Sequence, residues 1–325
     1  MSYKLLVYNA ESNTVYDYAP ITEKVTYTTN RNGSAGKLTF TCMQEKPINL
    51  TEGAKVQFYV DGTEIFLGFV FVIEQDRWGV ISVTAYDQIR YLKSKTSYSF
   101  VGKKLGEIIR QIATDMQLQT GNMDDTGYVI PTLTKENTEC LDIIEYGLQV
   151  TQYNTGKIFV FYDDFGKLSL KEAKSMASDI LIGNRSIITD YSYKSDIDSD
   201  TYNQVKLVRP NKKTGQGDTY IFNDQSTIKK WGLLQKYEKV DENLNEAQIN
   251  QQGNIMMAYY DRVLKTISVD GVGGVPGLKA GSMVMFKIKE IPELANGYRL
   301  VLEKVKHTFS SGEHTMSIEA KIMNN

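Results

Sequence analysis

The sequence predicts a mainly β protein with an α+β region inserted into it. Three observations carry that class. Short β-branched and aromatic runs separated by turn residues fill the chain up to about residue 95 and again from about 265. Between them the apolar period changes from 2 to 3.6 and back. The length, 325 residues, allows two or three domains.

The first strands are KVTYTTN, KLTFTC, KVQFYV, IFLGFVFVI and VISVTA. Asp61-Gly62 joins two of them and signals a tight hairpin, because both central residues of a type I′ turn need positive φ. Leu105, Ile108, Ile109, Ile112 and Met116 then fall at helical spacing. A second helix is expected from about Thr138 to Val150, with Cys140, Leu141, Ile144 and Leu148 on one side. KIFVFYDDFGKLSL reads as two strands around the turn Asp163–Gly166. Strands return over Ile187–Ile221, interrupted by a polar loop at Asn211–Asp218. A helical stretch is expected over about Ser226–Leu264, where Asn243 and Glu246 resemble a capping box.

The final strands hold both histidines, in LEKVKHTFSSGEHTMSIEAK. The turn is Ser311-Gly312 or the longer Ser310 to Glu313. Either one pairs Phe309 with His314 and His307 with Met316 when the apolar faces meet, since a one-residue slip reverses every side chain. Two imidazoles there could touch one metal. Zinc needs three or four ligands, however, and only Glu303 and Glu313 lie near in sequence. A packed structural hairpin is the expectation.

Composition is that of a folded protein: 41% hydrophobic, 11% aromatic and 23% charged, with 21 tyrosines and 6 prolines. The net charge of −2 argues against a basic nucleic-acid footprint. Cys42 and Cys140 match no CxxC spacing, and a reduced, cytosolic origin is the simplest reading. The opening MSYKLLVYNAESN has too short an apolar run for a signal peptide, and no stretch is apolar enough to span a membrane as a helix.

Several motifs fail on inspection. RNGSAGKLTF has Arg31 where a phosphate loop needs Gly, and Leu38 where it needs Ser or Thr. GVGGVPG, Gly271–Gly277, has Pro276 at the last position before a glycine and leads into a strand, so it reads as a loop. DIDSD gives Asp196, Asp198 and Asp200 the spacing of a calcium loop, but Thr201 replaces the glycine and Leu207 the bidentate Glu. A solvated loop is expected there, with weak calcium binding left open. No serine sits in a GxSxG elbow, and the pairs Asp163-Asp164 and Asp124-Asp125 lie in turns. No catalytic, cofactor or metal residue is therefore assigned, and no enzyme is expected.

An internal repeat is visible. Gly53-x-x-Val56-x-Phe58-x-Val60 matches Gly281-x-x-Val284-x-Phe286-x-Ile288. Gly68–Glu74 lines up with Gly297–Glu303, and Ile81–Ala85 with Met316–Ala320, in the same order.

VDGTEIFLGFVFVIE followed by VTAYDQIRYLKS resembles the first β-domain of the central baseplate hub proteins of contractile phage tails. NTECLDIIEYGLQ with KIFVFYDDFGKLSL resembles the inserted domain of XkdQ-type, late control D-like hubs of Gram-positive phages and phage-tail-like bacteriocins. IKKWGLLQKYEKVDENLNEAQ and VKHTFSSGEHTMSIE are similar to later parts of the same family. The resemblance implies two tube-like β-barrel domains, 1–96 with about 185–225 and 265–325, an inserted α/β domain at 97–182, and a helical connecting segment at 226–264. It implies a homotrimer whose six barrels form a ring. The ring would join the six-fold tail tube to the three-fold central spike, with baseplate wedge proteins and a tape measure as neighbours. DNA would meet it only by passing through the lumen. The particle would be assembled in the bacterial cytoplasm, phage and bacteriocin being open alternatives. Some such hubs carry a fused hydrolase; nothing after Lys321 is long enough to be one, so a purely structural hub is expected. The competing reading is a polysaccharide-degrading or carbohydrate-binding component of the same particle.

Overall fold

Strands β1 (Tyr3–Asn9), β2 (Thr14–Asp17), β3 (Thr22–Asn30), β4 (Lys37–Met43), β5 (Lys55–Val60), β6 (Thr63–Gln75) and β7 (Val80–Tyr86) build a first sheet. Its order is β3-β4-β7-β6-β5-β1-β2, antiparallel throughout. The structure, a computed structural model, describes residues 2–9, 13–43, 50–183, 190–210, 217–310 and 312–322. Alternation along these strands sends Leu5, Leu38, Phe40, Val56, Phe58 and Val83 inward to one core. Asp61 (φ 46°) and Gly62 (φ 81°) make the tight β5–β6 turn that their residue types predict.

The inserted region runs β8 (Lys95–Lys104), α1 (Leu105–Asp115), β9 (Thr120–Met123), β10 (Val129–Glu139), α2 (Cys140–Thr155), β11 (Phe159–Asp163) and β12 (Leu168–Glu172). It has a core of its own, in which Leu105, Ile108, Ile109 and Ile112 of α1 meet Cys140, Leu141, Ile144 and Leu148 of α2. Those are the faces that helical spacing predicts. Gly147 lets the helices approach, since a Cβ there would lie 2.7 Å from Leu105 Cδ1.

The rest of the chain contributes β13 (Ala177–Gly183), β14 (Asp190–Asp196), β15 (Gln204–Arg209), β16 (Asp218–Asn223), α3 (Gln225–Trp231), β17 (Gln235–Lys239), α4 (Glu246–Tyr260), β18 (Leu264–Gly273), β19 (Met283–Lys287), β20 (Tyr298–Ser310) and β21 (Glu313–Ile322). A second sheet has the order β14-β18-β21-β20-β19-β13 and buries Ile267, Val284, Phe286, Leu302 and Ile318. Strands β16-β15-β17 form a small separate sheet that packs on α4 through Val205, Leu207, Ile249 and Met256.

Several expectations are corrected. Neither large sheet closes as a barrel; among the described residues they form one open sheet, because β20 pairs with both β21 and β3. The span 185–225 does not complete the first β-domain: β14 pairs with β18, and β15 and β16 belong to the small sheet. The stretch 226–264 is two helices separated by β17 rather than continuous helix. The capping box is at Asn245 and Gln248, two residues beyond the expected Asn243, with each side chain accepting from the other's backbone N–H at 2.9 Å. Gly271 to Gly273 are the end of β18, not loop. Ser311 and residues 211–216 of the expected polar loop lie outside the described residues.

The two sheets share a register. In the first, Val56 faces Gly68, Val70 faces Ala85, and a bulge follows before Val72 faces Thr84. In the second, Val284 faces Leu300, Leu302 faces Ala320, and a bulge follows before Lys304 faces Glu319. Backbone bonds repeat as well. Gly53 N donates to Val70 O at 2.8 Å, and Val70 N to Ala54 O at 2.9 Å. Gly281 N donates to Leu302 O at 2.8 Å, and Leu302 N to Ser282 O at 2.9 Å. The correspondence extends outward: Leu38 of β4 faces Ala85 as Ile267 of β18 faces Ala320, and Tyr27 of β3 faces Leu38 as Tyr193 of β14 faces Ile267. One difference in topology stands out: β1 joins β5 antiparallel, whereas β13 joins β19 parallel.

Candidate functional site

The duplicated sheets direct attention to the strand edges, where backbone donors and acceptors are available for pairing. One edge is used inside the chain. Lys24–Asn30 of β3 pairs antiparallel with Lys304–Ser310 of β20. Arg31 supports this joint with a 3.0 Å ion pair to Glu303, and Thr29 Oγ1 accepts from Ala280 N at 2.9 Å. Phe309 of β20 enters the first sheet's core edge-on to Phe58, with ring centroids 5.0 Å apart. Other edges with no strand beside them among the described residues include the outer side of β14, and β6 beyond Val70, where its backbone bonds to the β5 side end.

The histidine hairpin lies across the joint. Phe309 pairs with His314 and His307 with Met316, the register expected from the apolar faces. His307 is 1% exposed. Its Nε2 faces the Leu278 carbonyl at 2.7 Å, so that nitrogen carries the proton and donates. Its Nδ1 then accepts from His314 Nε2 at 2.9 Å. Burial holds both imidazoles near pKa 4, neutral at ordinary pH. With both His307 nitrogens engaged, the pair acts as packing: His307 stacks on Tyr27 of β3 at 5.9 Å, and a Cβ on Gly274 would lie 2.0 Å from the His314 ring.

Beneath the joint lies a feature that sequence reasoning missed. Asp163, placed by its turn to accept from Gly166 N at 2.7 Å, is buried near Asp87. Asp87 accepts from Gly36 N at 2.8 Å and Ile89 N at 3.0 Å. Burial, and secondly Asp163, raise Asp87 well above the usual carboxylate range, and burial also raises Asp163. Gly36 must be glycine here, because a Cβ would lie 2.5 Å from Asp87 Oδ2. No local signal marks the pair, whose members come from different modules.

The remaining acidic motifs are occupied locally. Asp196 Oδ1 accepts from Ser199 N at 2.9 Å and its other oxygen pairs with Lys194 at 2.8 Å. That leaves DIDSD as a turn, with Asp196 held at about 2 mainly by Lys194. Asp125 is tied to Gly127 N and Lys104, and Asp124 accepts from Glu172 N. Among the described residues no three His, Cys, Asp or Glu side chains converge as metal ligands. A cleft of about 440 Å³ lies between the insert and α4 and is lined by Asp142, Glu145, Tyr146, Tyr153, Tyr259 and Tyr260 among others. Tyr153 and Tyr260 hydroxyls bond at 2.6 Å on its floor, and Glu145, raised by burial, accepts from Gly33 N.

Comparison with known proteins places this geometry. The model of the YQBQ-like family matches residues 25–321. The YqbQ protein of Bacillus subtilis (strain 168) is 32% identical over 274 residues, 83% of this chain and 82% of that protein. The phage-like element PBSX protein XkdQ of the same organism is 31% identical over 273 residues, with the shares again 83% and 82%. Among solved structures, the tail protein from Neisseria meningitidis MC58 superposes with a TM-score of 0.71 at 13% identity, over 99% of this chain and 97% of that one. At that identity the likeness is one of fold.

Proposed function

The chain belongs to the YQBQ-like family, and on that premise we propose that it is a structural component of a phage-type tail: the baseplate hub that joins a six-fold tail tube to a three-fold spike. The name of the relative XkdQ supports a phage-like particle. One observation carries the hub role, the repetition within one chain of a five-strand antiparallel unit, β3-β4-β7-β6-β5 and β14-β18-β21-β20-β19, with the same order and facing positions and a bulge at the same place. Closed assemblies need repeated equivalent surfaces. A trimer of identical chains has three, whereas a trimer of chains with two like sheets offers six. Tube, spike, wedge and tape measure proteins are the partners in this reading, and the inserted region sits outside the ring, its bounds redrawn from 97–182 to β8–β12 because β13 joins the second sheet. No chemistry is required of the chain. The test is a particle reconstruction: three copies per baseplate are expected, and any other number overturns the ring.

A second reading rests on the cleft. Tyr146 and Tyr259, partly exposed beside Asp142 and Glu145 over the buried Tyr153–Tyr260 pair, make a surface on which a sugar could stack and hydrogen bond. A zymogram on cell-wall material and a glycan-binding assay separate the two: a lysis band or saturable glycan binding supports the carbohydrate role.

A further inference from the structure

The chain contains one worked example of how two of its sheets join. At that joint Lys304 faces Asn30, Val305 faces Thr29, Lys306 faces Thr28 and His307 faces Tyr27. The shared register identifies the counterparts. Lys306, opposite Ser317, corresponds to Glu74, opposite Ser82. Thr28, opposite Lys37, corresponds to Lys194, opposite Thr266. The part of β3 that β20 covers, Lys24–Asn30, corresponds to Asp190–Asp196, which is the whole of β14.

We infer that β14 of one chain pairs antiparallel with the β6 edge at Val72–Glu74 of a second copy of this chain, in the register that sets Glu74 opposite Lys194. This rests on the ring reading above and supplies its strands. Three observations fit this occupant. The contact continues an interface already built once inside the chain, with a β6-type edge on a β3-type edge. It is head-to-tail, the kind of contact that closes a ring. The register also places a carboxylate against an ammonium, and opposite charges at facing positions favour pairing. Among the described residues neither edge has a strand beside it, and each shows large apolar side chains, with Val72 42% exposed and Tyr191 and Tyr193 37% each. Lys194, 66% exposed and now paired along its own strand with Asp196, has only to swing across. A free flat edge of this kind otherwise invites unspecific pairing.

The experiment uses full-length chain carrying Glu74→Cys and Lys194→Cys in tail particles from a producing strain. The two native cysteines are buried. On oxidation, or with a short bismaleimide, the double variant is expected to give a covalent ladder ending at a closed oligomer, and neither single variant to give it. Particles that contain the variant but yield no ladder overturn the edge pairing and leave the hub reading standing. Should the cysteine variant fail to enter particles, charge exchange decides: Glu74→Lys and Lys194→Glu each cut incorporation several-fold, and the two together restore it. Absence of restoration overturns the pairing. If the wild-type chain is absent from tail particles, the hub reading fails. The crosslink is then sought in concentrated purified chain, where its absence overturns the pairing and a ladder sustains it.

Discussion

In the first sheet, β3 is covered along Lys24–Asn30 by β20, and an ion pair, a threonine hydroxyl and a stacked histidine reinforce the contact. In the second, the corresponding β14 is exposed along nearly its whole length and carries two half-covered tyrosines. The interiors tell the opposite story. Phe58 and Phe286 are both fully buried at matching positions, and both sheets bulge after the residue facing a buried alanine. Cores resist change because each methylene is felt by its neighbours, whereas edges are free to acquire partners. The lesson is that the two sheets agree in packing and register and differ at their edges and hairpins.

The largest test attacks that shared interior. Phe58→Ala and Phe286→Ala each remove a fully buried ring from an equivalent place. Each is expected to cost about 3–5 kcal/mol. Urea unfolding of the two variants measures both losses. A loss for one at least twice that for the other would break the equivalence of the cores.

The sequence alignment of the repeat was right for β5 and β7 and wrong for β6, and the reason is physical. It matched Gly68 to Gly297, but the register sets Gly68 against Leu300, three positions on. The two glycines do different jobs. Gly68 sits inside a strand where a Cβ would lie 2.3 Å from the Tyr86 carbonyl, and Gly297 takes φ 88° in a turn. A string of letters does not distinguish close approach from backbone conformation. Strand partners were hidden for a similar reason: DYSYKSD and QVKLVR read alike, yet β14 joins the large sheet and β15 the small one. The hairpin register and the helix faces were legible because each depends on contacts local in sequence. The Asp87–Asp163 proximity and the open edges depend on distant ones.

The hairpin difference gives the next test. At the place of Gln75 in the first sheet, the second has His307, held near pKa 4 by burial. A depressed folded value means that the neutral form is favoured. The contribution is full above the unfolded value of 6.5 and lost as pH falls through about 4. It amounts to about 3 kcal/mol. His307→Gln is expected to flatten the decline of Tm between pH 6.5 and 4, and to leave bound metal undetectable by elemental analysis, as in the parent. Stoichiometric zinc in the parent would contradict the packing role.

Asp163 has the opposite sign and a smaller expected effect. Its folded value, raised to about 6, means that stability is complete below 3.8 and lost as pH rises through about 6. Asp163→Asn should therefore gain on the parent by about 3 kcal/mol at most at pH 7.5 and by little at pH 4. Thermal melts across that range read the crossover. A gain confined to pH 4 would mean that the carboxylate is stabilised in the fold, reversing the assignment.

The smallest effects compare the covered edge with the open one directly. Arg31 and Glu303, 11% and 18% exposed, bridge β3 and β20, so Arg31→Met strands a largely shielded carboxylate. A loss of about 1–2 kcal/mol is expected, less than for a fully buried pair because water still screens it. Lys194 on β14 is 66% exposed and ties down only its own strand. An exposed pair of that kind competes with water and side-chain entropy, so Lys194→Ala should leave the unfolding midpoint of the isolated chain where it was. Incorporation into particles should nevertheless fall, because in the assembled edge the same ammonium faces Glu74. Midpoint and incorporation are then two readings of one residue. A Lys194 variant that loses stability alone, or loses neither, would return β14 to being an ordinary solvated edge.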